Sequence, residues 1–189
     1  MRTVHLAFLT NFILLGFIWP QAAPSKSETE LYLLEDSRHQ QWCVFRSKSL
    51  WESEVKALPA LSVGSLEYEK HRLSAVNVTQ EDETGDWIIY DHYSLDKDGT
   101  PDKLKRTINV LPGDFRETQL FLIQDGTARR KSTIRRSLKD GRHVESSGAW
   151  LPDRPIIASL QGFPFAPLIL QAGSGKLSGS RDCAPIGVH

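Results

Sequence analysis

The chain has 189 residues, of which 40% are hydrophobic and 24% are charged, a composition that fits one domain with a real core. Its 23 basic and 23 acidic residues balance. The chain therefore lacks the net basic excess typical of proteins that bind nucleic acid, and we expect no nucleic-acid partner.

The first residues predict a secretory signal peptide over residues 1–25. Arg2 gives a positive start, residues 6–19 form an apolar run, and proline and small residues follow. Cleavage is expected within residues 22–25. We therefore expect a secreted or periplasmic protein with no transmembrane span after processing, the alternative being a membrane anchor that is retained.

The N-terminal part predicts two short helices and a strand. Residues 27–41 begin with a Ser-x-x-Glu capping box and place leucines near one helical face. Residues 42–45 are apolar and predict a short strand. A second capping box, Ser49 with Glu52, opens another helix, which Pro59 ends.

From Ser65 onward the apolar period changes to two, which predicts an antiparallel meander. Gly-containing dipeptides separate its strands because glycine accepts a positive φ in tight turns. These are Asp98-Gly99, Pro112-Gly113, Asp125-Gly126 and Asp140-Gly141. The predicted strands lie near residues 65–69, 73–78, 87–95, 104–110, 120–123, 127–138 and 143–151. The third and the fifth are apolar on both faces, so we expect the sheet to be covered on both sides there.

The C-terminal part changes character after Pro152. Asp153, with Pro155 just inside, predicts the cap of a short helix that Gly162 closes. The segment 163–167 alternates phenylalanine and proline and is expected to be irregular. An apolar run, 168–170, precedes a Gly/Ser-rich stretch.

Cys43 and Cys183 are the two cysteines of the chain. In an oxidising compartment an even pair predicts a disulfide, and two buried thiols or a bond between chains are the alternatives. The predicted fold is α+β. It has a curved antiparallel meander of six to eight strands, in one form a half-open barrel, with short N-terminal helices and the apolar C-terminal segment packed on the sheet. We expect a single domain at 26–172 and a Gly/Ser-rich tail at 173–189, tethered by Cys183.

No motif in the chain carries a reaction. Asp96, Asp98 and Asp102 resemble part of a calcium loop, but Lys105 stands where the bidentate glutamate belongs, so a hairpin turn is favoured. The glycines before Lys176 lack the spacing of a phosphate loop. There is no G-x-S-x-G sequence and no helical histidine pair. We expect no metal, no cofactor and no catalytic residue.

The predicted function is a secreted or periplasmic, non-catalytic binding or structural protein of unknown ligand. An apolar ligand is placed against the sheet by Trp87, Tyr93, Leu104, Leu120, Phe163 and Phe165. The segment from Thr127 to Arg142 holds seven basic residues and one acid, a net charge of +6. An anionic partner could therefore dock on the basic strand through Arg129, Arg130, Arg135 and Arg136, unless that strand is an edge protected by its charges. A hydrolase whose site assembles from distant residues is the other alternative.

Overall fold

The computed structural model describes residues 28–58, 62–145 and 151–186. The predicted signal peptide at residues 1–25 lies outside these ranges. Within them the protein is mostly an antiparallel β-sheet with two short α-helices, which confirms the α+β class. None of the helices in the described part of the chain is long and apolar enough to cross a membrane.

Nine strands in the described residues form one open sheet, one more than the upper limit of the prediction. They are β1 (Glu28–Asp36), β2 (Gln41–Phe45), β3 (Ser62–Glu69), β4 (Arg72–Glu81), β5 (Trp87–Leu95), β6 (Pro101–Val110), β7 (Phe115–Gln124), β8 (Thr127–Ser137) and β9 (Arg181–Pro185). The order across the sheet is β8-β7-β6-β5-β4-β3-β1-β2-β9. The run from β3 to β8 is the predicted meander, with each strand paired to the next. The helices are α1 (Lys48–Ala57) and α2 (Ala166–Gly173).

The helix predicted over residues 27–41 is wrong, because Glu28–Asp36 form strand β1 between β2 and β3. Leu33 is buried on one face of the sheet and Leu34 on the other. A strand buried on both faces is apolar in a continuous run, and periodicity alone does not separate such a run from a short helix. Helix α1 is present as predicted, but its N-cap is Ser47 rather than Ser49.

Three predictions after β8 are corrected or remain open. Residues 143–145 form no strand, only an isolated bridge between His143 and Arg136, and 146–150 lie outside the described residues. Residues 151–158 lie outside regular secondary structure, and only a 3₁₀ turn at Leu160–Gly162 replaces the expected helix. The irregular segment ends earlier than predicted because Ala166 and Pro167 begin α2. In the first turn of a helix the backbone N–H groups have no partner within the helix, so a proline there costs no hydrogen bond.

The two faces of the sheet have different surroundings. Residues 151–177 pack over one face, which we call the covered face, and share a cluster there with Leu33, Val76 and Tyr93. Phe163 and Phe165 stack on each other, and Phe165 contacts Trp42 of β2. The opposite face carries α1 only over β1 and β2. We call the part of that opposite face formed by β5 to β8 the open face.

The predicted disulfide between Cys43 and Cys183 is present. It joins β2 to β9, where the two residues are directly opposed in register. Strand β9 had no signal of its own in the sequence, because five residues with two charges and a proline lack an apolar period.

Candidate functional site

A buried ion pair lies at the centre of the covered face. Asp91 on β5 and Arg106 on β6 are directly opposed in register. Arg106 donates from Nε to Asp91 Oδ1 at 2.8 Å and from Nη2 to Oδ2 at 2.9 Å. Burial alone would lower the pKa of Arg106, but the hydrogen bonds and charge of Asp91 outweigh it, and the net shift of the pKa is upward. The guanidinium therefore remains charged in the protein.

A second buried ion pair lies on the same face, between strands β7 and β8. Arg135 on β8 donates to Glu117 Oε2 from Nη2 at 2.7 Å and from Nε at 3.1 Å. Gln119 donates to Glu117 Oε1 at 2.6 Å. Gln119 is also the register partner of Arg106, so it lies between the two buried pairs. The Arg135 guanidinium also lies 4.3 Å from the centre of the Phe115 ring.

The ion pair on β5 and β6 also holds the segment that packs over the covered face, residues 151–177, which we call the covering segment. Arg106 Nη1 donates to the carbonyl oxygen of Arg154 at 2.8 Å. The Tyr93 hydroxyl accepts a hydrogen bond from the backbone N–H of Ile157 at 3.2 Å. Burial and the charge of Asp91 raise the pKa of Tyr93, so this hydroxyl stays neutral. Two side chains of the sheet thus satisfy backbone groups of a segment that belongs to no helix or strand there.

Arg154 brings an excess positive charge to this buried region. Its Nε lies 3.9 Å from Asp91 Oδ2, while Asp91 already accepts two hydrogen bonds from Arg106. The connected groups comprise three guanidinium groups and two carboxylates. The side chain of Arg154 is 18% exposed, and its Nη1 atom is buried without a hydrogen-bond partner among the described residues. Buried charges without a counter-ion are costly, so an anion at this position would be stabilising.

A groove of about 550 Å³ lies beside Arg154, between the ends of β4 and β5 and the covering segment. Trp87 and Ile89 form the sheet side, and Ile157 and Pro164 form part of the other wall. Gln80 and Asp153 add polar groups, and Asp153 makes no ion pair with Arg154 among the described residues. The groove therefore combines an apolar body with a few polar groups, among them one guanidinium and one carboxylate, the pattern typical of small-molecule sites.

The structure brings together only some of the predicted ligand-binding residues. Trp87 lines the groove. Tyr93, Leu104, Phe163 and Phe165 lie on the same face but are fully buried and pack on one another, so they form core beside the groove. Leu120 is separated from all of them, because it lies on the open face and is 42% exposed.

The four predicted arginines of β8 are divided between the two faces. Arg129 and Arg136 lie on the open face, opposed to Leu122 and Arg116 of β7. A register shift between Leu120 and Phe121 places Arg130 opposite Phe121, on the covered side at the sheet edge. Arg135 is buried in its pair with Glu117. These four residues therefore do not form one surface.

Sequence reasoning missed other residues of both regions. Arg154 had no motif, because its role comes from contacts with Asp91 and Arg106, which lie far earlier in the chain. Lys103, Lys105 and Arg116 join Arg129 and Arg136 on the open face. The alternation of residues in β6 and β7 was the available signal, since these cations lie out of phase with Leu104 and Arg106.

The aspartates that resemble a calcium loop form a hairpin turn instead. Asp96 Oδ1 accepts hydrogen bonds from the backbone N–H groups of Asp98 and Thr100, each at 2.9 Å. Gly99 adopts a positive φ of 79° in this turn. The described residues contain no group of three or more His, Cys, Asp or Glu side chains placed to hold a metal ion.

Comparisons of the chain with protein-family models, with curated proteins and with solved structures find no match. No relative therefore assigns a role to a residue of the groove or of the open face.

Proposed function

We propose that the protein is a secreted or periplasmic, non-catalytic binding protein that holds a small amphipathic anion in the groove beside Arg154. The observation that carries the proposal is the Arg154 guanidinium, which shares the Asp91 carboxylate with Arg106 and stands next to the apolar walls formed by Trp87 and Ile89. A carboxylate or phosphate would compensate its excess charge, and the apolar part of the ligand would lie along the indole ring.

The location is argued from two features. The predicted signal peptide directs the chain out of the cytoplasm. The disulfide between Cys43 and Cys183 is typical of proteins in oxidising compartments. Both support a binding protein that meets its ligand outside the cytoplasm.

The hydrogen bonds between the sheet and the covering wall of the groove support binding rather than a transient contact. Its covering wall is fixed by Arg106, which binds the Arg154 carbonyl, and by Tyr93, which accepts from Ile157. A site that is already formed loses less conformational entropy when the ligand enters. We therefore expect a ligand to be retained through purification.

Native mass spectrometry of protein purified from its own host tests the proposal directly. We expect a bound small molecule that carries an acidic group. Titration with decanoate and with decanol, followed by the fluorescence of the tryptophans, should show that the carboxylate binds more tightly than the alcohol. Arg154→Met should weaken decanoate binding roughly 30-fold, the value of one hydrogen bond to a charged group, and leave decanol binding nearly unchanged.

The matched control is Arg38→Met, which removes an exposed guanidinium in the turn between β1 and β2. It should leave both affinities unchanged. If nothing co-purifies and decanoate binds Arg154→Met as well as it binds the unaltered protein, the groove is not the site. Turnover in a broad hydrolase screen would instead support the enzyme alternative.

A further inference from the structure

The open face carries five cations, and four of them have no acidic partner among the described residues, whereas Lys103 Nζ lies 3.7 Å from Asp102 Oδ2. Registered pairs place five basic side chains on it, and none of the residues at the paired positions of these four described strands is acidic on this face. The cations are Lys103, Lys105, Arg116, Arg129 and Arg136. The nearest carboxylate in the same row is Glu81 on β4, and β5 and β6 separate it from Arg116.

Two of these cations oppose each other directly. Arg116 on β7 and Arg136 on β8 are register partners. Like charges at such positions are destabilising. Arg116 Nε donates to Asn109 and Arg136 Nη1 donates to the Gly141 carbonyl, and neither guanidinium is paired with a carboxylate of the described residues. An anion that contacts both guanidinium groups would remove the repulsion.

Exposed aliphatic side chains lie among the cations. Leu120 is 42% exposed and Ile134 is 45% exposed. They are diagonal neighbours on β7 and β8, because Leu120 is opposed to Ser132, two residues before Ile134. Lys105 is opposed to Leu120 across β6 and β7, so the apolar pair is bordered by positive charge.

We propose that the open face docks on an anionic phospholipid surface. The cations match lipid phosphates in sign, and the two aliphatic side chains match the acyl boundary just below the phosphates. An anionic polysaccharide would satisfy the charges but leave Leu120 and Ile134 against water. This surface is separate from the groove beside Arg154, which lies on the other side of the sheet, so either proposal can fail without the other.

Vesicle sedimentation with the full chain tests the proposal. We expect binding to vesicles of equimolar phosphatidylcholine and phosphatidylglycerol, and none to vesicles of phosphatidylcholine alone. Each cation near an anionic surface contributes roughly fivefold to partitioning, so Arg116→Gln with Arg136→Gln should weaken it ~25-fold. Both side chains are exposed, so the fold should be retained.

The control removes the same charge elsewhere. Arg38→Gln with Lys97→Gln changes two exposed cations in turns outside the open face and should reduce partitioning much less. Leu120→Ser with Ile134→Ser should also weaken binding, roughly fivefold for each residue, if the apolar pair enters the lipid.

Several results would overturn the proposal. Absence of binding to the anionic vesicles is one of them. Equal losses in the Arg116/Arg136 variant and in the Arg38/Lys97 variant would show attraction by total charge rather than by this face. Full binding by the Leu120/Ile134 variant would exclude the apolar contact. Binding to a soluble anionic polysaccharide such as heparin, without vesicle binding, would assign the face to a different partner.

Discussion

The Asp91–Arg106 pair gives the strongest test of how the covered face is held together. The two side chains are 1% and 5% exposed and share two short hydrogen bonds. Arg106→Met would leave Asp91 with only the Arg154 Nε at 3.9 Å and would also free the Arg154 carbonyl. Removing one member of a buried pair costs about 3–5 kcal/mol, a large part of the 5–15 kcal/mol that stabilises a typical domain.

A double-mutant cycle separates the pair from its surroundings. Asp91→Leu should cost a similar amount, since it leaves two guanidinium groups without their carboxylate. Asp91→Leu with Arg106→Met should cost at least ~2 kcal/mol less than the sum of the two single changes, because no buried charge of the pair then remains uncompensated.

The assay is urea unfolding of the oxidised protein, followed by tryptophan fluorescence and compared at a common m-value. The control is Lys139→Met, which breaks a surface ion pair with Asp114. The Lys139 side chain is 82% exposed. That change should alter the free energy of unfolding by less than ~0.5 kcal/mol. Single substitutions at Asp91 and Arg106 that each cost under ~1 kcal/mol, or that add without coupling, would refute this reasoning.

Three further predictions concern stability. Cys43→Ser with Cys183→Ser should lower the free energy of unfolding by up to ~5 kcal/mol in the chain-entropy model, and a loss below ~1 kcal/mol in urea unfolding would contradict it. Burial raises the pKa of Tyr68 to about 12 from 10.0. Ionisation of Tyr68 therefore leaves the free energy of unfolding unchanged below pH 10.0 and lowers it as the pH rises toward 12. Because the Tyr68 hydroxyl is buried without a partner in the described part of the chain, Tyr68→Phe should be neutral or stabilising and should reduce this alkaline loss. A hydrogen bond from His39 lowers the pKa of Asp36. The stabilisation by the Asp36 carboxylate is therefore present above pH 3.8 and is lost as the pH falls below that value. Acid unfolding of Asp36→Asn should lack this pH-dependent loss.

The parts of the fold that were predictable depend on local patterns. Strand β5 begins at Trp87 and ends at Leu95, as its period of two indicated. Turns such as the one at Gly99 were visible because a positive φ favours glycine. The disulfide followed from a count of two cysteines and the predicted compartment. These features depend on a few neighbouring residues or on composition, so tertiary contacts were not needed.

The parts that were not predictable depend on contacts between distant segments. Strand β1 is apolar on both faces because α1 lies over one side and the C-terminal segment over the other. Strand β9 exists because it pairs with β2 and is joined to it by the disulfide. The groove depends on a segment whose backbone is bound by Arg106 and Tyr93, more than 45 residues earlier in the chain. A local period contains none of this information.

The basic strand shows why a charge count does not describe a surface. Arg135 and Arg136 are adjacent in sequence, but alternation along β8 sends them to opposite faces of the sheet. Arg135 is paired with Glu117 in the interior, whereas Arg136 meets Arg116 on the open face, where no carboxylate of the described residues pairs with it. The charge available to a partner is therefore set by residues of β6, β7 and β8 that share one face. It is this shared face, rather than the basic strand alone, that gives the protein a surface complementary to an anionic lipid layer.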